Sequence, residues 1–352
     1  MDILITGGCG FIGSSIAIRL AGLGHRVTCF DNLLRRGSEI LLNRVREHGC
    51  TFVHGDIRNG EDFDKVKEGH TLLIECSAEP SVLVGTQGHE ARGLINTNLF
   101  GSVNCFEYAR THRLSVIFLS TSRVYPYDTL DGLPYEEHET RFDYSGSKPG
   151  VSAAGVSVEY PLAGYRSLYG ATKLSSELLL KEYSKNFGIP SIINRCGVVS
   201  GPWQLGKADQ GVFAFWLAYH YFKKDLSYIG FGGKGKQVRD LLHIDDLIDL
   251  TLKQIERLGN HFGTVFNAGG GRFSNLSLQE TTAHCLRITG NKVSIGSNVQ
   301  NRPGDVRWYL TDNGTTGGEF NWKPTRTPEV ILTDIHSWVA KNETDCKRIF
   351  LG

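Results

Sequence analysis

The chain lacks a charge excess of either sign. Its 352 residues hold 38 lysines and arginines against 37 aspartates and glutamates, a formal net charge of +1. That balance leaves no electrostatic footprint for nucleic acid. No apolar run has the length that crosses a bilayer, so no membrane span is expected. No Cys-x-x-Cys occurs either. The eight cysteines, Cys9, Cys29, Cys50, Cys76, Cys105, Cys196, Cys285 and Cys346, are scattered, several of them in apolar runs. This pattern argues against a zinc site or a disulfide frame and reads as reduced core or loop thiols, so no metal is expected. Repeats, linkers and low-complexity segments are missing too, which points to one large or two intimate domains. The strand pattern begins at Asp2 with no leader-like stretch before it, and with reduced thiols this implies a cytoplasmic setting.

Glycine, in contrast, is plentiful at 42 residues. It suits tight turns and close approach of backbone to a ligand. Ile3-Leu4-Ile5 runs into Thr6-Gly7-Gly8-Cys9-Gly10-Phe11-Ile12-Gly13, and the helical pattern Ile12, Ile16, Leu20, Leu23 follows. Strand, glycine turn and helix in this order form a dinucleotide fingerprint, in which the helix amides meet a pyrophosphate. A second strand, 25–30, ends in Asp31-Asn32, and Asp31 lies 24 positions after Gly7. An acid there accepts hydrogen bonds from an adenosine ribose and repels a 2′-phosphate, which favours NAD over NADP, although Arg35 and Arg36 follow closely. A third strand, 51–54, leads to Asp56-Ile57, which either address an adenine or, for Asp56, cap a helix starting near Gly60. The fourth, 71–76, ends in the small residues Ser77-Ala78, and a long helix over 92–113 carries Asn98. The fifth, 115–119, ends in Ser120-Thr121-Ser122-Arg123. Strands alternating with helices predict an α/β fold with a Rossmann-type, doubly wound parallel sheet.

Tyr169 and Lys173 lie one helical turn apart on one face. An ammonium near a phenol favours its ionised form and makes Tyr169 a usable general base.

Together, the glycine motif, Asp31, Asp56-Ile57, Ser120-Thr121 and Tyr169/Lys173 resemble the extended short-chain dehydrogenase/reductase superfamily of nucleotide-sugar epimerases and dehydratases. The resemblance covers nearly the whole chain. It implies bound NAD held by Gly7, Gly10, Phe11, Ile12, Gly13, Asp31, Asn32, Arg35, Asp56, Ile57, Ser77, Ala78, Asn98, Ser120 and Cys196, with Tyr169 and Lys173. It implies catalysis by Thr121, Tyr169 and Lys173. Within that superfamily, Asp31–Gly37, Phe52–Asn59, Glu139-Thr140-Arg141, Asp209-Gln210-Gly211 and Gly233–Asp240 resemble the branch that inverts C2 of CDP-linked hexoses. Dehydratases of the superfamily carry an Asp-Glu pair where this chain has Ser122 and Arg123, so dehydration is not expected. The 48 positions from Thr121 to Tyr169 resemble the long insert of the 2-epimerases. That branch carries Asn-Lys at 122–123 and Gly at 126, where this chain has Ser122-Arg123 and Pro126, and these changes border the sugar site.

A sixth strand, 191–196, and Gly201-Pro202 mark an expected boundary. The cofactor domain is expected over 1–196 with a returning segment at 241–268, and a smaller C-terminal α/β substrate domain over 197–240 and 269–352. Gln210 either contacts a nucleotide or caps the helix at 212–222, whose aromatic stripe reads as core. The glycine-rich 232–240 stretch reads as a hairpin whose Arg239 suits a diphosphate. Arg302, in a loop resembling the superfamily's late arginine loop, is the further sugar-nucleotide contact, beside Ser122 and Arg123. A final amphipathic helix is expected to run to about Ala340. The sequence thus predicts an NAD-dependent 2-epimerase of a CDP-hexose, with a 4-epimerase of another nucleotide sugar as the nearest alternative and an NAD-sensing binding protein as the alternative of another class. A homodimer or homotetramer is expected from the superfamily's habit of pairing its long helices.

Overall fold

The apolar runs form strands, and the central ones pair in parallel. The computed structural model of the chain describes residues 1–85, 90–206 and 211–352. β1 (Asp2–Thr6) lies between β2 (Arg26–Asp31) and β4 (Leu72–Glu75), parallel to both. β3 (Thr51–His54) pairs with β2, and β5 (Ser115–Thr121) with β4, again in parallel. Two later strands complete a seven-stranded sheet in the order Phe262–Ala268, Ser191–Cys196, β5, β4, β1, β2, β3. Strands covered on both faces need no polar alternation. Accordingly Ile3, Leu4, Ile5, Leu72, Leu73 and Ile74 are all 0% exposed. Strand order reverses between β1 and β4, and the carboxyl ends on either side of such a switch point frame a ligand crevice.

α1 (Phe11–Gly22) and α2 (Ser38–Glu47) follow β1 and β2. The long helix expected over 92–113 is interrupted. It consists of α3 (Ala91–Ile95), a π turn at Asn96–Phe100, and α4 (Gly101–His112). Within that turn, the buried amide of Asn98 bonds to the backbone of Glu79. The helix expected to start near Gly60 is a short 3₁₀ segment, Gly60–Lys65, with no side-chain cap at Asn59.

By contact the chain forms two compact units. The first holds 1–124, 168–195 and 248–266; the second holds 125–167, 196–247 and 267–352. Residues 125–167, Cys196, 241–247 and 267–268, expected with the cofactor domain, group with the second unit instead. The insert is tied there: Phe142 N donates to Lys236 O at 2.9 Å, and Arg141 Nη2 to Glu280 Oε2 at 2.7 Å.

Within the second unit, the stretch at 232–240 is not a hairpin. A 3₁₀ turn, Phe231–Gly233, separates the strands Leu226–Ile229 and Val238–His243, which join different partners. Leu226–Ile229 pairs with Ile295–Asn298, whereas Val238–His243 lies against Val198–Ser200, Asn275–Ser277 and Trp308-Tyr309. Gly232 and Gly233, at φ 81° and 66°, allow the chain to leave one sheet for the other. The aromatic helix Val212–Tyr221 buries Phe213 and Trp216, as a core stripe does. The late helix runs from Pro328 to Lys341, capped by Thr327, and a further helix, Glu343–Leu351, follows it. Among the described residues, no helix is long and apolar enough to cross a membrane.

Candidate active site

The glycine turn is built by close packing. Gly7, at φ 64°, follows β1, and a Cβ there would sit 2.9 Å from Cys76 and Ser77 backbone atoms. A Cβ on Gly13 would sit 2.2 Å from Gly7 O. Side chains at these positions would push the turn away from β4 and from α1. Gly10 caps α1 without a side-chain hydrogen bond, and the first turn, starting at Phe11 and Ile12, holds no acid. The positive end of α1 is therefore left for an anion from outside the chain, which is what a dinucleotide pyrophosphate needs.

β2 delivers Asp31 to this turn. Its carboxylate accepts the Cys9 amide at 3.0 Å and the Leu33 amide at 2.8 Å. Burial pushes the carboxyl above its ordinary range, against the pull of those two amides. Asn32 donates to Asp56 Oδ2 at 2.9 Å, which links the ends of β2 and β3. Asp56 is not a helix cap. It accepts the Arg58 amide at 2.9 Å and pairs with the Arg58 guanidinium at 2.5 Å. Burial pushes its carboxyl up, but the bonds from Arg58 and Asn32 outweigh this and hold it at about 2. Ile57 is buried, and Arg35 is exposed. Ser77 and Ala78 follow β4 and are half-buried. Asn98 spends its amide on the next residue: it accepts Glu79 N at 2.7 Å and donates to Glu79 O at 3.0 Å. It thus holds the segment that carries Ser77 and Ala78.

The helix Leu168–Phe187 carries Tyr169 and Lys173. Tyr169 is half-buried on its first turn, and Lys173 is 1% exposed one turn on. The Lys173 ammonium lies 3.5 Å from Glu75 Oε2 and 4.0 Å from the centre of the Phe118 ring. Thr121 closes β5, is buried, and accepts the Arg123 amide at 3.2 Å. Ser122 and Arg123 form the half-buried turn just beyond. Ser120 turns to the helix and donates to Glu177 Oε1 at 2.5 Å. Glu177 also pairs with Arg195 at 2.8 Å, with both side chains at least 96% buried. This network ties the helix to β5 and to the strand Ser191–Cys196.

Glu75 and Glu177 were not singled out from the sequence. The signals were there: Glu75 is the one charged residue of an otherwise apolar strand, and Glu177 continues the Tyr169/Lys173 spacing.

Three further candidates belong to the second unit. Arg239 donates to Asp305 Oδ1 and, at 2.7 Å, to Val306 O. Those acceptors sit in the loop that carries Arg302, so Arg239 and the Arg302 loop come together. Cys196 is buried at the end of its strand. Gln210 lies outside the described residues. The Glu139-Thr140-Arg141 stretch is anchored by the capping box of the helix Leu278–Thr289: Thr140 Oγ1 donates to Glu280 Oε1 at 2.8 Å, and Ser277 Oγ to Thr140 O at 2.7 Å. Among the described residues, no three His, Cys, Asp or Glu side chains gather in a way that holds a metal ion.

A family model, that of the NAD dependent epimerase/dehydratase family, matches residues 3–269. The chain is 27% identical to a CDP-paratose 2-epimerase of Salmonella typhi, covering 97% of this chain and 99% of that protein. It is 28% identical to a dTDP-glucose 4,6-dehydratase of Streptomyces niveus, covering 97% and 94%. Among solved structures, a UDP-glucuronic acid 4-epimerase of Bacillus cereus, in complex with UDP-4-deoxy-4-fluoro-glucuronic acid and NAD, superposes with a TM-score of 0.81. The identity to it is 25%, covering 97% of this chain and all of that one.

Proposed function

The chain belongs to the NAD dependent epimerase/dehydratase family, and from that premise we propose that it inverts C2 of a CDP-linked hexose of the CDP-paratose/CDP-tyvelose type. Membership makes NAD its cofactor and nucleotide sugars its substrate class. The finer reading is carried by one observation: positions 122 and 123, at the end of β5, are Ser122 and Arg123, not the acid pair that a dehydratase uses to expel water. The full-length similarity to a 2-epimerase supports it.

NAD, when bound, takes a hydride from the sugar and gives it back. The chain supplies the rest. Tyr169 removes the proton of the C2 hydroxyl and later returns it to the carbonyl oxygen. Thr121 donates a hydrogen bond to that oxygen, where charge develops. Lys173 holds positive charge below the phenol. Between the two half-reactions the 2-keto sugar presents its other face, while Arg239, Arg302 and Gln210 retain the nucleotide diphosphate and Ser122 and Arg123 border the ring. Asp31 and the amides of α1 keep the cofactor in place between turnovers.

Incubating the purified protein with CDP-, UDP-, GDP- and dTDP-hexoses, and reading C2 and C4 stereochemistry by NMR, tests the assignment. Inversion at C2 of a CDP-sugar is expected. Inversion at C4 alone would replace the reading with a 4-epimerase, the activity of the Bacillus cereus neighbour. Absence of turnover with every sugar, despite bound NAD, would favour a sensing role. We also propose a homodimer or homotetramer that buries the long helices: Phe100 and Leu178 lie 56% and 58% exposed on them. A monomer in light scattering at micromolar concentration would refute it. The eight free thiols support a cytoplasmic location.

A further inference from the structure

A carboxylate is buried beneath the catalytic helix. Glu75 ends β4, and its register neighbour on β5 is Phe118. Both are 0% exposed. Side by side, they form a platform of one negative charge and one aromatic face. The Lys173 ammonium rests on both, 3.5 Å from the carboxylate and 4.0 Å from the ring centre. Tyr169 lies one turn from Lys173 on the same face of the helix. We propose that Glu75 is a positioning residue for the reaction: its carboxylate holds the Lys173 ammonium beneath Tyr169 and sets the pH window in which the pair works. This rests on the reading of Tyr169 and Lys173 as the acid/base pair.

An ammonium so far from water needs a counter-charge, and the ring face supplies only part of one. At 3.5 Å the contact exceeds the roughly 2.7–2.9 Å of a charge-assisted hydrogen bond. Glu75 therefore holds Lys173 mainly by charge and leaves the ammonium's donors for other acceptors. Its second oxygen, Oε1, makes no hydrogen bond among the described residues. Burial pushes the Glu75 carboxyl up, and the charge of Lys173 opposes this. Among the described residues, the Cys105 thiol on α4 also faces Glu75, and burial holds it in its neutral form; Thr6 on β1, beside Cys105, is neutral. Lys173 is thus the one cation set against this carboxylate among the described residues. Removing the negative charge makes nearby protons easier to lose, so both macroscopic ionisations of the Tyr169–Lys173 pair move to lower pH.

Glu75→Gln removes the charge at constant size, and Glu75→Asp withdraws it by one methylene. Folding is checked by circular dichroism and NAD content, and Glu75→Asp carries the test if the amide variant does not fold. One readout needs no substrate. In protein labelled with carbon-13 at lysine Cε, the Lys173 resonance is identified by its loss in Lys173→Met. Its titration is expected to move down by at least about one pH unit in Glu75→Gln, and by less in Glu75→Asp. With CDP-tyvelose, the alkaline limb of the pH–rate profile moves in the same direction, whereas a merely structural role lowers the rate at every pH. A Lys173 resonance that titrates as in the wild type in the folded variants overturns the proposal. Full turnover by Tyr169→Phe would instead overturn the acid/base reading, and the NMR titration would still decide whether Glu75 is the counter-charge of Lys173.

Discussion

The carboxylate of Asp31 accepts the amide of Cys9 at 3.0 Å, and so joins the tip of β2 to the glycine turn. In the proposed role, this one residue both shapes the glycine turn and offers an acceptor to the adenosine ribose. Asp31→Ala is expected to weaken NAD about 10- to 100-fold, the scale of hydrogen bonds to a charged group. It should also narrow discrimination against NADP, because the charge that repels a 2′-phosphate is gone. Calorimetric titration of both cofactors checks this; an unchanged affinity and ratio would remove Asp31 from the ribose.

Tyr169→Phe is expected to lower kcat at least about a hundredfold, the usual contribution of a positioned proton carrier. Lys173 and Glu177 sit on later turns of the same helix, and their partners Glu75 and Arg195 sit on β4 and on the strand Ser191–Cys196; all are untouched, so fold and NAD content should persist. Turnover within threefold of the wild type would sink the assignment.

Much of this arrangement is legible in the residues. The strand–glycine–helix order and the acid at the end of β2 are local patterns, and local patterns survive folding. The π turn at 96–100 is not legible, and neither is the bond of its Asn98 amide to Glu79, 19 positions earlier. Glu75 shows itself only as a charge in an apolar strand; its partner is 98 positions away. The Glu139-Thr140-Arg141 stretch reads as a family marker near the sugar. Its side chains find Glu280, about 140 positions on, and so anchor the insert. The glycines of 232–235 suggest a hairpin, because nothing nearby says that the two flanking strands have different partners.

Asp56→Asn should destabilise the protein in a pH-dependent way. The folded carboxyl is held at about 2, below the ordinary 3.8, so its contribution is full above about pH 4 and is lost as pH falls toward 2. Arg58 is 40% exposed, and screening reduces the effect to about 1 kcal/mol. Urea unfolding at several pH values should show wild type and variant apart at pH 6 and converging near pH 2. A constant difference over that range would assign the cost to lost packing, not to charge.

The carbon that reacts separates a 2-epimerase from the 4-epimerases and 4,6-dehydratases to which the chain is also similar. Inversion at C2 puts the ketone beside the anomeric phosphate, whereas inversion at C4 puts it across the ring. The two reactions therefore demand different seatings of the sugar under Thr121 and Tyr169. With no acid pair at Ser122 and Arg123, the elimination that dehydratases couple to C4 oxidation has no proton carrier at those positions. CDP-tyvelose deuterated only at C2 is thus expected to show a primary isotope effect if hydride transfer limits the rate, and to keep its label at C2 after inversion. Cofactor recovered from enzyme quenched during turnover should carry deuterium from the C2-labelled sugar and none from sugar labelled only at C4. Transfer from C4 would overturn the C2 assignment and leave the family membership and the Tyr169 proton carrier standing, because both half-reactions at either carbon need the same phenol.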